Sequence, residues 1–189
     1  MFDIPCVILC GGKSSRMGED KSLLPFGGSN TLAEFQYDRL KKIFKSVYIS
    51  CKNPNKYDFD AEFIEDEGEE FNPFLGIKSS FNYTGLPYLF FIPVDSPFVS
   101  EDVISKIFKS FDCSLDIAIP KDKDGTHNLI GIYSSSLIPK IAELESEGVL
   151  RVGALLKKSK SKIVDFEDSH PFTNLNYKEE YEKVINLLH

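Results

Sequence analysis

The sequence lacks any apolar run that approaches the ~20 residues needed for a membrane-spanning helix, although 42% of its residues are hydrophobic. It also lacks a basic excess, since the formal net charge is −7, and proteins that bind nucleic acid generally present a basic face. The first ten residues, MFDIPCVILC, contain no basic segment of the kind that begins a signal peptide. We therefore expect a cytoplasmic protein with neither a membrane nor a nucleic acid as its partner.

Cysteine is scarce and shows no metal-binding spacing. The four cysteines are Cys6, Cys10, Cys51 and Cys113, which form no C-x-x-C pair. Three of them lie on or beside apolar segments, so buried reduced thiols explain them better than a zinc site or disulfides. The sequence also has no G-x-G-x-x-G fingerprint and no G-x-S-x-G nucleophile motif. These absences argue against dinucleotide binding, zinc chemistry and serine-hydrolase chemistry.

Apolar strand-like segments alternate with amphipathic helical segments along the 189 residues. Besides one near the N-terminus, strands are predicted at residues 46–51, 62–64, 88–94, 116–120, 129–133 and 163–166. Thr31 with Glu34 forms a capping box, and Ser100 precedes two acidic residues, so both positions predict helix starts. Further helices are predicted over residues 137–147 and 152–158 and at the C-terminus. The alternation predicts an α/β fold with a mostly parallel central sheet, and the lack of repeats and linkers favours one domain over residues 1–189.

The most distinctive stretch is CVILCGGKSSRMGEDK at residues 6–21. An apolar strand is followed by Gly11 and Gly12, which let the backbone turn sharply and approach a ligand closely. Bare N–H groups in such a turn can donate to phosphate oxygens. Hydroxyl donors and positive charge then follow at Lys13, Ser14, Ser15, Arg16 and Lys21. The stretch predicts a phosphate-binding loop, although a glycine-rich turn with solvated charges explains the same pattern.

Two carboxylate positions follow predicted strands. The strongest apolar run, YLFFIPV at residues 88–94, ends directly at Asp95. A carboxylate at the carboxyl end of a central strand can hold Mg²⁺ against the phosphates of a nucleotide, but Asp95 is also suited to capping a turn before Pro97. The acidic run that begins at Glu65 is either a solvated loop or a second source of ligand-binding groups at a strand end.

The segment LCGGKSSRMGEDK resembles the N-terminal signature of nucleotidyltransferases with a Rossmann-like fold. Its glycine pair, S-x-R-M-G and D-K make it most similar to the molybdenum cofactor guanylyltransferases of the MobA family, although Cys10 stands where that family usually has alanine. The resemblance implies a three-layer Rossmann-like sandwich of the nucleotide-diphospho-sugar transferase type. It also implies transfer of GMP from GTP to molybdopterin, with Mg²⁺ as cofactor and release of pyrophosphate. Cofactor-delivery proteins and molybdoenzyme apo-proteins are candidate partners.

The resemblance also implies roles for individual residues. Arg16 and Lys21 would neutralise charge on the triphosphate, and Asp95, which begins the family's D-x-P motif, would bind the magnesium ion. These three are the expected catalytic residues. The implied nucleotide contacts are Leu9, Cys10, Gly11, Gly12, Ser14, Ser15, Lys21, Asp66 and Asp95.

Asp66 is the candidate for recognising the base. Residues 72–77, NPFLGI, partly match a family segment that follows such an aspartate, with Asn72 in place of a usual glycine. A carboxylate can accept hydrogen bonds from both N1–H and N2–H of guanine, a donor pair that adenine lacks. Glu65 and Glu67 remain alternatives for this role.

The acceptor-side residues are implied by two shorter matches. The segment NLN resembles the family's N-(V/I/L)-N motif and implies substrate contacts from Asn174 and Asn176. His127 lies in a segment similar to the family's H-P-L-F-(A/G)-x-Y, so it is either a pterin contact or a solvated loop histidine. Lys52 or Asn53 would align with a family asparagine that contacts nucleotide.

Two other functions remain open. Another nucleotidyltransferase, such as a cytidylyltransferase acting on a pterin, sugar-phosphate or polyol-phosphate acceptor, would share the loop and the metal but not the base. A non-catalytic nucleotide-binding regulator is a different class. The joint presence of Arg16, Lys21 and Asp95 speaks against the latter.

Overall fold

The computed structural model describes residues 1–11, 19–68, 72–175 and 180–182. The strands are β1 Cys6–Leu9, β2 Val47–Cys51, β3 Glu62–Glu65, β4 Tyr88–Pro93, β5 Ile117–Asp122, β6 Gly125–Thr126, β7 Gly131–Ser134 and β8 Ser161–Asp165. The helices are α1 Leu32–Lys41, α2 Pro73–Thr84, α3 Glu101–Lys109, α4 Ile138–Ser146 and α5 Val152–Lys157. Within the described residues, no helix is long and apolar enough to cross a membrane.

The strands form one sheet with the order β3-β2-β1-β4-β7-β5-β6, and β8 pairs with β5. The β3-β2-β1-β4 half is parallel, as is the β5–β8 pair. β7 lies antiparallel between β4 and β5, and β6 forms a short hairpin with β5. The sheet is therefore parallel where β-α-β crossovers build it and is interrupted by one reversed strand.

Apolar side chains alternate between the two faces of this sheet. On β1, Cys6 and Ile8 pack on the face covered by α1 and α3. Val7 and Leu9 pack on the opposite face, which α2, α4 and α5 cover. Phe90 and Phe91 divide in the same way on β4. The strands are buried on both sides, as expected for a parallel sheet between helices, and the three-layer α/β architecture expected from the sequence is confirmed.

The predicted helix starts are confirmed by their caps. Thr31 Oγ1 accepts from Glu34 N–H at 3.0 Å, and Ser100 Oγ accepts from Val103 N–H at 3.4 Å. Asn72 caps α2 by accepting from Leu75 N–H at 3.1 Å, and its own backbone is extended. Asparagine is a favoured N-cap residue, so this position needs no glycine.

The strand predicted over residues 129–133 begins only at Gly131, because the preceding residues form a turn. Gly131 has φ of +146°, and a Cβ on it would lie 2.1 Å from the carbonyl oxygen of Ala118. The strand therefore starts where a glycine allows close approach to β5. The strand predicted over residues 116–120 also extends further than expected, because Lys121 and Asp122 pair with β6.

The cysteine prediction is confirmed in most respects. All four thiols are free, and Cys6, Cys10 and Cys51 are buried, whereas Cys113 is exposed. Of the predicted C-terminal helix, only residues 180–182 are described, and they are helical.

Asp116, just before β5, hydrogen-bonds to three other segments of the chain and therefore provides a test of the fold. Its carboxylate accepts from Lys140 Nζ at 2.8 Å, Ser136 Oγ at 2.8 Å and Lys160 N–H at 3.0 Å. Burial alone would raise the pKa of Asp116, but these hydrogen bonds together lower it to about 2.

We expect Asp116→Asn to lower the free energy of unfolding at pH 7 by about 1–3 kcal/mol, since charge-assisted hydrogen bonds are lost. The lowered pKa means that this stabilisation is present above the unfolded-state pKa and disappears as the pH falls toward 2. Urea denaturation at several pH values measures the difference, and the exposed Asp58→Asn is the control. A difference that grows on acidification would contradict the assignment.

Candidate active site

A cavity of about 460 Å³ opens at the carboxyl ends of β1 and β4. It is lined by Leu9, Cys10, Gly11, Asp20, Lys21, Ser22, Pro93, Val94, Asp95, Ser96, Thr126, His127, Asn128, Leu129, Ile130 and Asn174. This is the edge at which parallel α/β sheets bind their ligands. Several residues that the sequence analysis singled out thus share one cleft.

The centre of the cleft holds an ion pair between Lys21 and Asp95. Lys21 Nζ lies 3.2 Å from Asp95 Oδ2, and the two side chains are only 15% and 22% exposed. The residues are 74 positions apart in the chain, one after β1 and the other at the end of β4. A cation and a carboxylate are thus held together where anionic phosphates or a cation would enter.

The segment around Lys21 is anchored by a polar network. Asp20 accepts from Ser22 N–H at 3.0 Å and from Lys56 Nζ at 2.5 Å, so it caps the short 3₁₀ helix Lys21–Leu23. The hydroxyl of Tyr57 donates to Ser22 Oγ at 2.8 Å. No local pattern in the sequence singles out Lys56 and Tyr57, because they follow β2 and reach the loop only through the fold.

Asp95 is joined to the C-terminal part of the chain. Its carbonyl oxygen accepts from Leu175 N–H at 3.0 Å, and Ser96 Oγ donates to Asn174 Oδ1 at 2.8 Å. Asn174, expected on the substrate side, therefore lies beside Asp95 at the wall of the cleft.

A second cavity of about 140 Å³ adjoins the first, and Leu9, Gly11 and Leu129 line both. Its other lining residues are Ser50, Lys52, Asp66, Asn72, Pro73, Leu75 and Gly76. Lys52, one of two candidates left open by the sequence, faces this cavity. Asn53 instead caps a short helix by accepting from Asn55 N–H at 3.1 Å.

Asp66 is the carboxylate of the smaller cavity. It is buried, whereas Glu65 and Glu67 on either side are exposed, because successive residues of an extended segment point to opposite sides. Asp66 Oδ1 accepts from Ser50 Oγ at 2.6 Å. Burial raises the pKa of Asp66, although the Ser50 hydrogen bond and the charge of Lys52 partly oppose this.

The space in front of the Asp66 carboxylate is open because the neighbouring positions 11 and 76 are glycines. A Cβ on Gly11 would lie 3.3 Å from Asp66 Oδ2. A Cβ on Gly76 would lie 2.9 Å from Ser50 Oγ and 3.0 Å from Leu9 Cδ2. The backbone of α2 therefore approaches closely at Gly76, and the slot beside Asp66 exists because these positions carry no side chain.

The opposite wall of the larger cleft is the turn between β6 and β7. His127 Nε2 lies 3.1 Å from Asp122 Oδ2, and its ring stacks on Phe172 with centroids 4.3 Å apart. His127 is thus an ordered part of the wall, not a solvated loop histidine. Asn128 Oδ1 beside it is buried and has no hydrogen-bond partner among the described residues.

The structure brings seven of the predicted site residues to the two cavities: Leu9, Cys10, Gly11, Lys21, Asp66, Asp95 and Asn174. Burial raises the pKa of the Cys10 thiol, so Cys10 lines the cleft as a neutral group. Five predicted residues lie outside the described ranges: Gly12, Ser14, Ser15, Arg16 and Asn176. Ser50 was missed, although a serine in an apolar strand is a signal that could have found it.

The donor groups of the larger cavity fit a magnesium ion that is bound jointly by the protein and its substrate. Within the described ranges, no three acidic, histidine or cysteine side chains lie close enough to hold a metal by themselves. Mg²⁺ is usually bound by one or two carboxylates together with substrate phosphates and water. A single carboxylate at Asp95, facing a cleft of this size, fits that mode of binding.

The sequence pattern of the MobA-like NTP transferase domain matches residues 6–162, which include Lys21, Asp66 and Asp95. The chain belongs to this family. The family and the nucleotidyltransferase activity class predicted from the sequence are therefore confirmed.

Relatives agree with this membership over nearly the whole chain. The molybdenum cofactor guanylyltransferase of Campylobacter jejuni strain RM1221 is 40% identical over 183 residues, covering 96% of this chain and 95% of the relative. The enzyme of the same name from Helicobacter pylori strain G27 is 34% identical, covering 98% and 94%. The crystal structure of molybdopterin-guanine dinucleotide biosynthesis protein A from Archaeoglobus fulgidus has a TM-score of 0.82 at 19% identity, covering 97% and 98%, so it shares the fold.

Gly76 provides a test of the smaller cavity. We expect Gly76→Ala to weaken GTP binding by about tenfold, since the added methyl group would displace Ser50 from Asp66. Alanine has a higher helix propensity than glycine, so the substitution should not destabilise the backbone of α2.

Titration with a fluorescent GTP analogue measures the affinity. Gly153→Ala in α5 is the matched control, because among the described residues its Cβ would meet only Asn128 Nδ2, at an ordinary 3.7 Å. Equal affinities for the two variants would rule out the slot beside Gly76 as part of the nucleotide site.

Proposed function

We propose that the protein transfers GMP from GTP to molybdopterin, releasing pyrophosphate and forming the guanine dinucleotide form of the cofactor. The observation that carries this proposal is the junction of the two cavities at Gly11. The larger cavity contains the Lys21–Asp95 pair, and the smaller contains a buried carboxylate, Asp66. A triphosphate in the first and a guanine in the second would be one continuous ligand. The names of the relatives support the same substrates.

Asp66 would recognise the base. An ionised carboxylate has about four lone-pair positions, and the described contacts of Asp66 include one side-chain hydrogen bond, from Ser50. The Asp66 carboxylate can therefore still accept hydrogen bonds from the N1–H and N2–H groups of guanine. Adenine lacks this donor pair, and cytosine offers only its amino group, so the arrangement favours GTP over ATP and CTP.

Lys21 and Asp95 would bind the phosphate part of the nucleotide. The ammonium group of Lys21 would donate to phosphate oxygens, with Arg16 expected to add charge from outside the described residues. Asp95 would hold Mg²⁺, which supplies positive charge to the triphosphate when bound. A terminal phosphate oxygen of the acceptor then attacks the α-phosphorus in line, and the bond to the β-phosphate oxygen breaks. Positioning and charge neutralisation account for such catalysis without a covalent intermediate.

The acceptor would occupy the wall opposite the nucleotide. Thr126, His127 and Asn128 line this side of the larger cavity, and Asn174 lies beside Asp95. A pterin, which is rich in ring donors and acceptors, would meet these polar side chains on this wall. A phosphate is already ionised near neutral pH, so its oxygen needs no general base to act as the nucleophile.

The guanine assignment predicts a pH-dependent affinity. Because burial raises the pKa of Asp66, acidification should protonate it at a higher pH than an ordinary aspartate. The affinity for GTP should then fall as the pH drops through that raised pKa, since the protonated group accepts fewer hydrogen bonds. Asp66→Asn should bind GTP about 10–100-fold more weakly at pH 7 and should lose this pH dependence.

Isothermal titration with GTP, CTP and ATP in the presence of Mg²⁺ measures these affinities. Glu65→Gln, at the exposed neighbouring position, is the control and should bind as the unmodified protein does. Tight CTP binding without GTP binding would replace the guanylyltransferase assignment with a cytidylyltransferase.

Asp95 provides the test of the chemistry. We expect Asp95→Asn to reduce pyrophosphate release from GTP and molybdopterin by at least about 100-fold, since the charge that holds the metal is removed. GTP binding without metal should change little, because the base contact at Asp66 is intact. An Asp95→Asn enzyme with normal turnover would refute the metal assignment.

Several expectations stay predictions. They are contacts with cofactor-delivery proteins or molybdoenzyme apo-proteins, the absence of nucleic-acid and membrane partners, and a cytoplasmic location. The roles expected of Arg16, Ser14, Ser15 and Asn176 are predictions of the same kind.

A further inference from the structure

A buried amide lies behind the loop that carries Asp95. Gln36, on α1, is completely buried. Its Nε2 donates to the carbonyl oxygen of Val94 at 3.2 Å and to that of Pro93 at 3.4 Å. These are the two residues that immediately precede Asp95. The amide therefore contacts the end of β4 from the helix side of the sheet.

Arg39 completes the arrangement three residues later on the same face of α1. Its Nε and Nη2 donate to Gln36 Oε1 at 3.1 and 2.6 Å, and its Nη1 donates to the carbonyl oxygen of Val99 at 2.5 Å. Arginine only donates and carbonyl oxygens only accept. The orientation of the Gln36 amide is therefore determined, with its oxygen toward Arg39 and its nitrogen toward β4.

This arrangement is costly for a purely structural role. Burial lowers the pKa of Arg39, which reflects the energy needed to remove a guanidinium from water. In the described part of the chain, its partners are amide and carbonyl oxygens rather than a carboxylate. Apolar side chains of similar volume often stabilise a fold at least as well as buried polar groups. What the two residues provide instead is directional contact with specific backbone oxygens.

We propose that Gln36 and Arg39 form a clamp that positions Asp95 for catalysis. The clamp contacts the chain on both sides of Asp95, at Pro93 and Val94 before it and at Val99 after it. Neither clamp residue lines the cavities, so both act through the loop and are positioning residues. The inference rests on the role proposed for Asp95.

The clamp acts together with two contacts already described. The carbonyl oxygen of Pro93 also accepts from Ser96 N–H at 3.2 Å, and that of Asp95 accepts from Leu175 N–H at 3.0 Å. The loop is thus held from α1 on one side and from the C-terminal segment on the other. A displacement of about 1 Å at a reacting centre can reduce turnover about 100-fold, so releasing one side should be measurable.

The test uses three variants of the full-length protein. Gln36→Leu removes all of the amide's hydrogen bonds. Gln36→Glu keeps an acceptor for Arg39 but removes the donor to Pro93 and Val94. Arg39→Lys keeps the charge but cannot bridge Gln36 and Val99 with a rigid fork.

We expect kcat for pyrophosphate release to fall about 10–100-fold in Gln36→Leu and Gln36→Glu, and less in Arg39→Lys. KM for GTP should stay within about threefold, because Asp66 and Lys21 are untouched. Hydrogen–deuterium exchange of the nucleotide-free protein should increase at residues 94–99. This second readout is independent of turnover and of metal loading.

Ile141→Val is the matched control, because Ile141 lies on α4 in the core on the opposite face of the sheet. It should lower Tm without changing kcat or exchange at residues 94–99. The clamp is refuted if the folded Gln36 variants keep normal kcat and normal exchange, or if kcat merely follows Tm as in the control. If Gln36→Leu does not fold, Gln36→Glu and Arg39→Lys decide the question.

Failure of the clamp is distinguishable from failure of the proposed chemistry. An active Asp95→Asn enzyme would refute the role proposed for Asp95 and, with it, the proposed chemistry. An inactive Asp95→Asn enzyme together with fully active clamp variants would remove only the inference about Gln36 and Arg39.

Discussion

The structure depends on the parallel pairing of β1 with β4. In this register Leu9 lies opposite Pro93, and Val94 N–H donates to the carbonyl oxygen of Leu9 at 3.1 Å. Both strands therefore end at the same edge of the sheet, and the loops that follow them emerge side by side. Lys21 and Asp95 meet for this reason, and the site would not exist with a different strand order or an antiparallel pair.

Much of the site could be predicted because it follows from local rules. Apolar runs mark the strands, and ligand-binding groups follow their carboxyl ends, which singled out Asp95 and the acidic loop from the sequence. The helix caps at Thr31 and Ser100 could also be predicted, because each depends only on residues within one helical turn. The family resemblance singled out Asp66 and left Glu65 and Glu67 as alternatives. Only the structure separates the three, because they differ in burial and not in chemistry.

The features that could not be predicted depend on contacts between residues that lie far apart in the sequence. The reversed β7 could not be inferred from its own apolar residues, which suit either strand direction. Gln36 looked like an ordinary polar residue in an amphipathic helix. Its spacing of four from both Leu32 and Leu40 places it on the apolar face, and that is a signal of a buried polar role. Its partners at the end of β4, however, are 57 and 58 residues away in the chain.

The site concentrates polar groups that the fold alone does not favour. Asp66 is a carboxylate whose pKa is raised by burial. Gln36 is an amide enclosed by the core, and Arg39 is a partly buried guanidinium that donates to it. For Asp66, a ligand with two N–H donors would replace the water that burial removed, so binding would stabilise both the ionised carboxylate and the fold. For the clamp, the compensation lies in backbone oxygens that hydrogen-bond in only one geometry. If these proposed roles hold, the fold gives up some stability for ligand recognition at Asp66 and for accurate positioning of Asp95 by Gln36 and Arg39.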